Sequence, residues 1–255
     1  MTLASRAQRL AQRSVKLGRV VRDPLYRRGL RHGVAASIEH EHVPFGAEFS
    51  LVVDVGANRG QFALFAARRF PHARLICFEP LPGARAVLGQ LLDARPRTEV
   101  HGVALADRRG TADLHVARRD DSSSLLAITA AQVTAYPGTE EVDRLAVQTA
   151  RLDEMLARPG ADEQALLKID VQGGELQVLA GAEGVLSGFM EVLMECSFVE
   201  LYAGQATVDT MVGHLRDHGF GLAAITGIGR DTENRPVQAD LLFRRCDRTA
   251  RAEAE

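Results

Sequence analysis

A glycine-rich loop that follows an acidic residue is the first feature of this 255-residue sequence that could do chemistry. Residues 52–60 read VVDVGANRG, so Asp54 precedes Gly56, Asn58 and Gly60. Glycines let the backbone approach a ligand closely, and a helix that starts after such a loop directs its N-terminal amides at that ligand. The segment therefore indicates a cofactor loop at the end of a strand.

A second acid strengthens this interpretation. Glu79 comes directly after the next apolar segment, residues 74–78, a little over 20 residues beyond the loop. A carboxylate at this position is typical of sites that hold the two hydroxyls of a ribose. The loop and Glu79 together predict a cofactor that contains a nucleoside.

The spacing of the loop favours one cofactor over another. A dinucleotide site calls for Gly-x-Gly-x-x-Gly, whereas this loop reads Gly-x-Asn-x-Gly with Asp54 in front of it. An acid there suits a ligand with an ammonium and a sulfonium better than a diphosphate. We expect S-adenosylmethionine, and an NAD(P)-dependent oxidoreductase is the alternative.

Acids at later strand ends could act on a methyl acceptor. A hydroxyl acceptor needs a base, or a metal that lowers its pKa. Asp170 and Glu195 follow neighbouring apolar segments, and Glu175 lies a turn further on. We predict these three as catalytic residues, with Asp170 and Glu195 as ligands of Mg²⁺ if the reaction needs one. In the alternative, Asp170 bonds loop amides and Glu175 caps a helix.

Apolar segments alternate with helical ones through most of the chain, which is typical of βαβ units around a mostly parallel sheet with helices on both faces. We therefore predict an α/β, Rossmann-like domain over residues 45–246, with an insertion at 111–150 whose part 118–142 is irregular and lies over the site. The predicted strands are residues 50–54, 74–78, 98–103, 111–117, 146–150, 165–169, 189–194, 222–225 and 239–244. The predicted helices are residues 60–70, 83–92, 152–156, 175–182 and 208–218.

The two ends of the chain differ from this domain. Residues 1–32 carry nine basic side chains and one acid, so this part is about +8 within a total of -2. We predict a basic helical extension over residues 1–44, with its helix closed at Pro24, and a charged tail at 247–255. The helix could pack on the domain or on a second subunit in a homodimer, or lie on an anionic membrane surface, or be a transit peptide.

Composition adds a few expectations. The near-neutral charge does not indicate a nucleic-acid partner. Three isolated cysteines suit a reducing compartment, so we expect a cytoplasmic protein, with membrane association left open. His40 and His42 alternate with acids, but two histidines do not complete a metal site, so we expect them at the surface or on a lid.

The order of the motifs resembles the FkbM family of S-adenosylmethionine-dependent methyltransferases. The matching stretches run from residue 52 to residue 243: 52–61 (VVDVGANRGQ), 78–80 (FEP), 103–107 (VALAD), 122–125 (SSSL), 152–153 (LD), 167–175 (LKIDVQGGE), 194–198 (MECSF) with Tyr202, and 240–243 (DLLF). In that family the fourth-strand motif usually reads KIDxEGxE, and Gln172 stands here where a glutamate is common.

The resemblance implies a class I methyltransferase sheet of seven strands and a role for each matching residue. Gly56, Asn58 and Gly60 would line the methionine part of the cofactor, Glu79 the ribose, and Ala104 and Asp107 the adenine, with Asp54 in front of the loop. Ser122, Ser123 and Tyr202 are candidates for contacts with the substrate.

It also implies O-methylation of a small-molecule or glycolipid hydroxyl, such as that of a sugar in a glycolipid or polysaccharide, or of a polyketide. A binding module that holds S-adenosylmethionine without catalysis is the alternative from another functional class.

Overall fold

A computed structural model describes residues 23–231 and 233–246. Seven strands form the main sheet, and all of them run parallel except the last in the chain, which is antiparallel to both of its neighbours. They are β1 (Leu51–Val55), β2 (Arg74–Phe78), β3 (Thr98–His101), β7 (Ala165–Ile169), β8 (Glu191–Ser197), β9 (Phe220–Arg230) and β10 (Pro236–Arg245). Their order is β3-β2-β1-β7-β8-β10-β9. This confirms the expected seven-stranded, Rossmann-like class I sheet.

The centre of the sheet is buried along its whole length and is apolar except for Asp54 and Lys168. Every residue of β1 and of β7 is buried, and the two strands pair in parallel from Leu51 opposite Ala165 to Val55 opposite Ile169. Strands covered on both faces read as continuous apolar runs, which is why these two segments were legible in the sequence. The chain leaves β1 towards β2 on one side and returns as β7 on the other, so the switch point of the sheet lies between β1 and β7.

Helices cover both faces. One buried cluster joins odd-numbered residues of β1 with helices that follow β7 and β8, and the other joins Val52 with helices near the start of the chain. The first face carries α6 (Glu175–Ala180), α7 (Glu183–Leu186) and α8 (Val208–Asp217), and the second carries α1 (Pro24–Arg31), α2 (Gln61–Arg69) and α3 (Pro82–Leu92). The predicted helix at 175–182 is thus divided into two shorter helices.

The two strands expected at the ends of the insertion are β5 (Gly110–Ala117) and β6 (Glu141–Ala150), and with the short preceding strand β4 (Ala104–Leu105) they form a three-stranded sheet of order β4-β6-β5. The stretch 118–142, expected to be irregular, contains a 3-10 turn at Asp120–Ser122 and a short helix, α4 (Ala130–Ala135). Helix α5 (Leu152–Met155) follows the insertion. The outer half of β6 is exposed and has no alternation of apolar and polar residues. Its pairing with β5, and not its composition, makes this half a strand.

The chain ends differ from expectation in detail. Pro24 was expected to close the basic helix. In the structure it lies in the first turn of another helix, α1, where its missing N–H leaves no hydrogen bond unmade, and Asp23 caps that helix. The expected basic helix before residue 23 and the tail at 247–255 lie outside the described residues. In the part of the chain that the structure describes, no helix is both long and apolar enough to cross a bilayer.

Candidate active site

A cavity of about 380 Å³ opens at the carboxyl ends of β1, β2 and β7. This size is within the range of small-molecule sites. The insertion closes its other side through Asp120, Asp121 and residues of β5. The predicted site residues that line it are Gly56, Asn58, Glu79, Ala104, Asp107, Ser123 and Asp170. The structure therefore brings residues from five separate stretches of the chain to one ligand-sized space.

The glycine loop is shaped by close contact with the next strand. Gly56 has φ 78°, and a Cβ at this position would lie 1.9 Å from the Asp170 carbonyl oxygen. Any side chain here would therefore separate β1 from the end of β7. Asn58 also adopts a positive φ of 45°, and its side-chain oxygen accepts a hydrogen bond from the Arg59 amide. Gly56 and Asn58 turn the backbone into the floor of the cavity.

Glu79 is held by two backbone amides. Its Oε2 accepts a hydrogen bond from the Asn58 amide at 2.8 Å, and its Oε1 accepts one from the Leu81 amide at 2.7 Å. Burial raises the pKa of Glu79 to about 7, although both amide bonds favour the ionised form. Each oxygen keeps a lone pair, so the carboxylate can still accept from a pair of ligand hydroxyls. This fits the predicted ribose contact.

Asp54 does not line the cavity, although the sequence predicted that it contacts the cofactor. Its carboxylate is 1% exposed beneath the loop, and Lys168 Nζ lies 3.5 Å from Oδ1. The same ammonium lies 3.2 Å from Asp170 Oδ2. Burial would lower the pKa of Lys168, but Asp170 and Asp54 outweigh it and raise that pKa. Asp54 thus has a partner within the protein and gives no separate reason to expect a cationic ligand.

Gln172 connects the acids that were predicted to be catalytic. Its Nε2 donates to Asp170 Oδ1 at 2.7 Å and to Glu195 Oε2 at 3.0 Å, and its Oε1 accepts from Tyr202 OH at 2.8 Å. Asp170 lines the cavity, whereas Glu195 and Tyr202 do not contribute to its lining. Burial, followed by the charges of Asp170 and Asp240, raises the pKa of Glu195 well above its usual range.

This arrangement does not fit Mg²⁺. The amide group of Gln172 stands between the two carboxylates at the place where an ion would bridge them. Within residues 23–231 and 233–246, no group of three or more His, Cys, Asp or Glu side chains is placed to hold a metal. Asp170 and Glu195 therefore do not fit the expected role of Mg²⁺ ligands.

Four other predicted residues lie behind the cavity wall. Glu175 Oε1 accepts from the amides of Val171 and Gly173, so this side chain holds its own loop, and burial raises its pKa to about 7. Gly60 packs against α3, where a Cβ would lie 2.9 Å from Leu88 Cδ1. Ser122 and Tyr202 are buried, and the Tyr202 hydroxyl donates a hydrogen bond to the Ser122 carbonyl oxygen. These residues support the site from outside its lining.

Two residues with functional positions were missed. Lys168 is one of only two lysines and lies within an apolar strand, a signal of a buried ion pair. His40 was expected at the surface or on a lid, but it is 9% exposed and packs edge-on against the Phe62 ring at 5.1 Å. His42 on the same turn is exposed, as expected. The sequence held no signal that separated these two histidines.

Sequence comparison relates this chain to known proteins. The profile described as the Methyltransferase FkbM domain matches residues 54–222. The chain is 31% identical over 61% of its length to 2-O-methyltransferase NoeI of Sinorhizobium fredii, covering 66% of that protein. It is 30% identical over 78% of its length to the antimetabolite synthetase AmbE of Pseudomonas aeruginosa, covering 11% of it. It is also 30% identical to the 31-O-demethyl-FK506 methyltransferase FkbM of Streptomyces tacrolimicus, over 68% of this chain and 74% of that protein.

The match spans slightly less than two thirds of the first of these relatives and a small part of the second, so the shared unit is the methyltransferase domain. That unit contains the loop from Asp54, Glu79, the insertion and the strand that ends at Asp170. On the profile match and the match to most of the Streptomyces protein, the chain belongs to the FkbM methyltransferase family.

Proposed function

We propose that this protein is an S-adenosylmethionine-dependent O-methyltransferase that acts on a hydroxyl of a sugar-like or polyketide-like small molecule. Family membership supports the reaction type, and two relatives carry O-methylation in their names. The observation that carries the cofactor is Glu79, fixed by the Asn58 amide at the wall of the cavity beside the glycine loop.

The residues of the cavity fit S-adenosylmethionine along its length. All five residues assigned to the cofactor here line the cavity. In this proposal Ala104 and Asp107 contact the adenine, Glu79 accepts from the ribose hydroxyls, and Gly56 and Asn58 lie under the methionine part. The bound cofactor would supply a methyl group on a sulfonium. An acceptor oxygen would attack that methyl group in line with the sulfur, which leaves as a thioether. The protein contributes alignment and a space from which water is excluded. Asp170, at the far end of this row, is placed to orient the acceptor.

The test is cofactor binding measured by calorimetry on the full chain. Glu79→Ala should weaken S-adenosylhomocysteine binding by an order of magnitude or more, because both ribose hydroxyls lose their acceptor. Glu99→Ala is the matched control, because Glu99 on β3 pairs with Arg74 on β2 and does not line the cavity. Binding of NAD without binding of S-adenosylmethionine would contradict the proposal and favour an oxidoreductase.

Catalysis needs its own readout, because a binding module would pass the first test. Release of S-adenosylhomocysteine from S-adenosylmethionine in the presence of hydroxylated acceptors distinguishes the two. Asp170→Asn should keep cofactor affinity and lose turnover, since this change leaves the loop contacts in place. If cofactor binding falls to the same extent as turnover, Asp170 belongs to the cofactor site.

A further inference from the structure

A second cavity of about 180 Å³ adjoins the first at the tip of β7. The two cavities share Gly56, Asn58, Asp121 and Asp170 as lining residues. Glu79 and Asp107 line only the larger one. If the ribose and adenine lie at those two acids, the smaller cavity begins where the transferable end of the cofactor would be.

The smaller cavity is lined by polar groups from the segment before β1. His40 lies in a 3-10 turn, Ile38–His42, and Ser37 is the N-cap of that turn. Gln61 and Phe62 come from α2, and Lys168 comes from β7. Ser37 and His40 precede residue 54, where the family match begins. This wall of the cavity is therefore built by a part of the chain that the shared family pattern does not cover.

One hydrogen bond determines which nitrogen of His40 carries a proton. His40 Nδ1 lies 3.1 Å from the Ser37 carbonyl oxygen, which can only accept. Nδ1 therefore holds the proton in the neutral ring, and Nε2 is left with a free electron pair. A histidine fixed in this tautomer by a backbone carbonyl is prepared to accept a proton through Nε2.

Burial and the charge of Lys168 keep the His40 ring neutral. Burial and then the positive charge of Lys168 lower its pKa below the ordinary 6.5, and these effects outweigh the Ser37 bond, Glu39 and Asp170. Asp121 and Asp170 also line the cavity, and Asp54 and Asp170 flank Lys168. His40 is thus unprotonated at neutral pH, which is the state a general base requires.

We propose that the smaller cavity receives an uncharged, polyhydroxylated acceptor and that His40 Nε2 takes the proton of the hydroxyl that is methylated. This inference rests on the proposed function. As the oxygen–methyl bond forms, the sulfur–methyl bond breaks and its electron pair stays on sulfur as a thioether. The hydroxyl proton passes to Nε2 and then to solvent. Lys168 and Gln61 can donate to neighbouring acceptor oxygens, and Asp170 and Asp121 can accept from neighbouring hydroxyls.

The experiment compares His40→Gln with His42→Gln, an exposed histidine on the same turn. Methyl transfer is measured as release of S-adenosylhomocysteine, with methyl glycosides of neutral hexoses and 6-deoxyhexoses as acceptors. We expect His40→Gln to reduce kcat about 100-fold or more and to remove the acid limb of the pH profile. His42→Gln should change neither. Affinity for S-adenosylhomocysteine, measured by calorimetry, should stay within about twofold in both variants.

A second measurement does not depend on turnover or on a variant that folds. In the wild-type protein with S-adenosylhomocysteine bound, ¹⁵N NMR of the histidine rings should show His40 protonated only at Nδ1 at pH 7. A proton on Nε2 at pH 7 would contradict the proposal.

The remaining outcomes separate this inference from the proposed function. Tenfold weaker S-adenosylhomocysteine binding in His40→Gln would assign the smaller cavity to the methionine end of the cofactor and overturn the acceptor site. Transfer by wild type to none of the neutral glycosides would overturn the acceptor class. Unchanged turnover in His40→Gln would show that His40 is not the general base. Absence of any cofactor binding by wild type would instead refute the proposed function itself.

Discussion

Gln172 is the residue at which this chain departs from the usual family motif, and the structure gives that departure a physical consequence. Its amide donates to two carboxylates and accepts from a phenol, so every polar atom of the side chain is used. Its backbone also has a positive φ of 59°. A neutral donor at this point lets Asp170 and Glu195 lie close together without a cation between them.

The first residue-scale prediction concerns Gln172→Glu. A third carboxylate would replace the donor between Asp170 and Glu195, and it would ionise with difficulty in the folded protein. Its folded pKa would be raised, so stability should be kept at low pH and lost as pH rises. We expect a loss of about 1–3 kcal/mol in the free energy of unfolding at pH 8 and a smaller loss at pH 6.

Denaturant unfolding at the two pH values measures this. Gln148→Glu is the matched control, because Gln148 is exposed on β6 and its amide reaches only Thr111. An equal loss for both variants, or a loss at residue 172 that does not change with pH, would contradict the electrostatic explanation.

At the scale of elements, the legible parts of the sequence are those where one local pattern determines the structure. The segments 74–78 and 165–169 were predicted with the bounds that the structure has, because buried parallel strands are nearly continuous apolar runs. β6 and β9 were predicted too short, since their outer residues are exposed and are held by pairing with β5 and β10 rather than by composition.

The same distinction applies to the site. Residues at the ends of buried strands and on the loop, such as Gly56, Glu79 and Asp170, were located at the cavity from their positions in the pattern. Asp54 was assigned to the ligand because its partner, Lys168, lies more than 100 residues away and meets it only through the pairing of β1 with β7. His40 depends on packing against α2, which no local spacing reveals.

The second prediction belongs to the insertion, which Arg59 joins to the glycine loop. Arg59 lies within 2.8 Å of Asp120, and Asp120 lines the cavity. An ion pair this exposed contributes at most about 1 kcal/mol to stability. Arg59→Gln should therefore leave the unfolding midpoint nearly unchanged and speed the dissociation of S-adenosylhomocysteine several-fold, because the wall over the ligand opens more often.

Stopped-flow dissociation and hydrogen exchange across residues 118–126 measure the effect. Arg118→Gln is the control, since Arg118 forms an exposed pair with Glu140 in the same insertion. If both variants release the ligand at the wild-type rate, the ion pair at Arg59 does not restrain the insertion.

At the scale of the whole molecule, buried acids make stability depend on pH. Burial raises the pKa values of Glu79, Glu175 and Asp240 to about 7 each. These groups bind protons more tightly in the folded chain than in the unfolded one, so their contribution is present at low pH and lost as pH rises through 7. His40 and His214 have lowered pKa values and act in the opposite sense below about 6.5. Between pH 6.5 and 8 these acids outnumber the two histidines, so stability should fall as pH rises.

Glu175→Gln isolates one of these acids without removing its hydrogen bonds. Both loop amides donate to Oε1, and the amide oxygen of glutamine can accept them in the same place. In the absence of cofactor, the wild-type free energy of unfolding should fall by about 1–2 kcal/mol from pH 6.5 to 8, and the fall should be smaller in the variant. Urea unfolding at four pH values gives both slopes. Glu183→Gln, an exposed change at the start of α7, should keep the wild-type slope, and a variant at residue 175 that also keeps it would show that Glu175 does not titrate in this range.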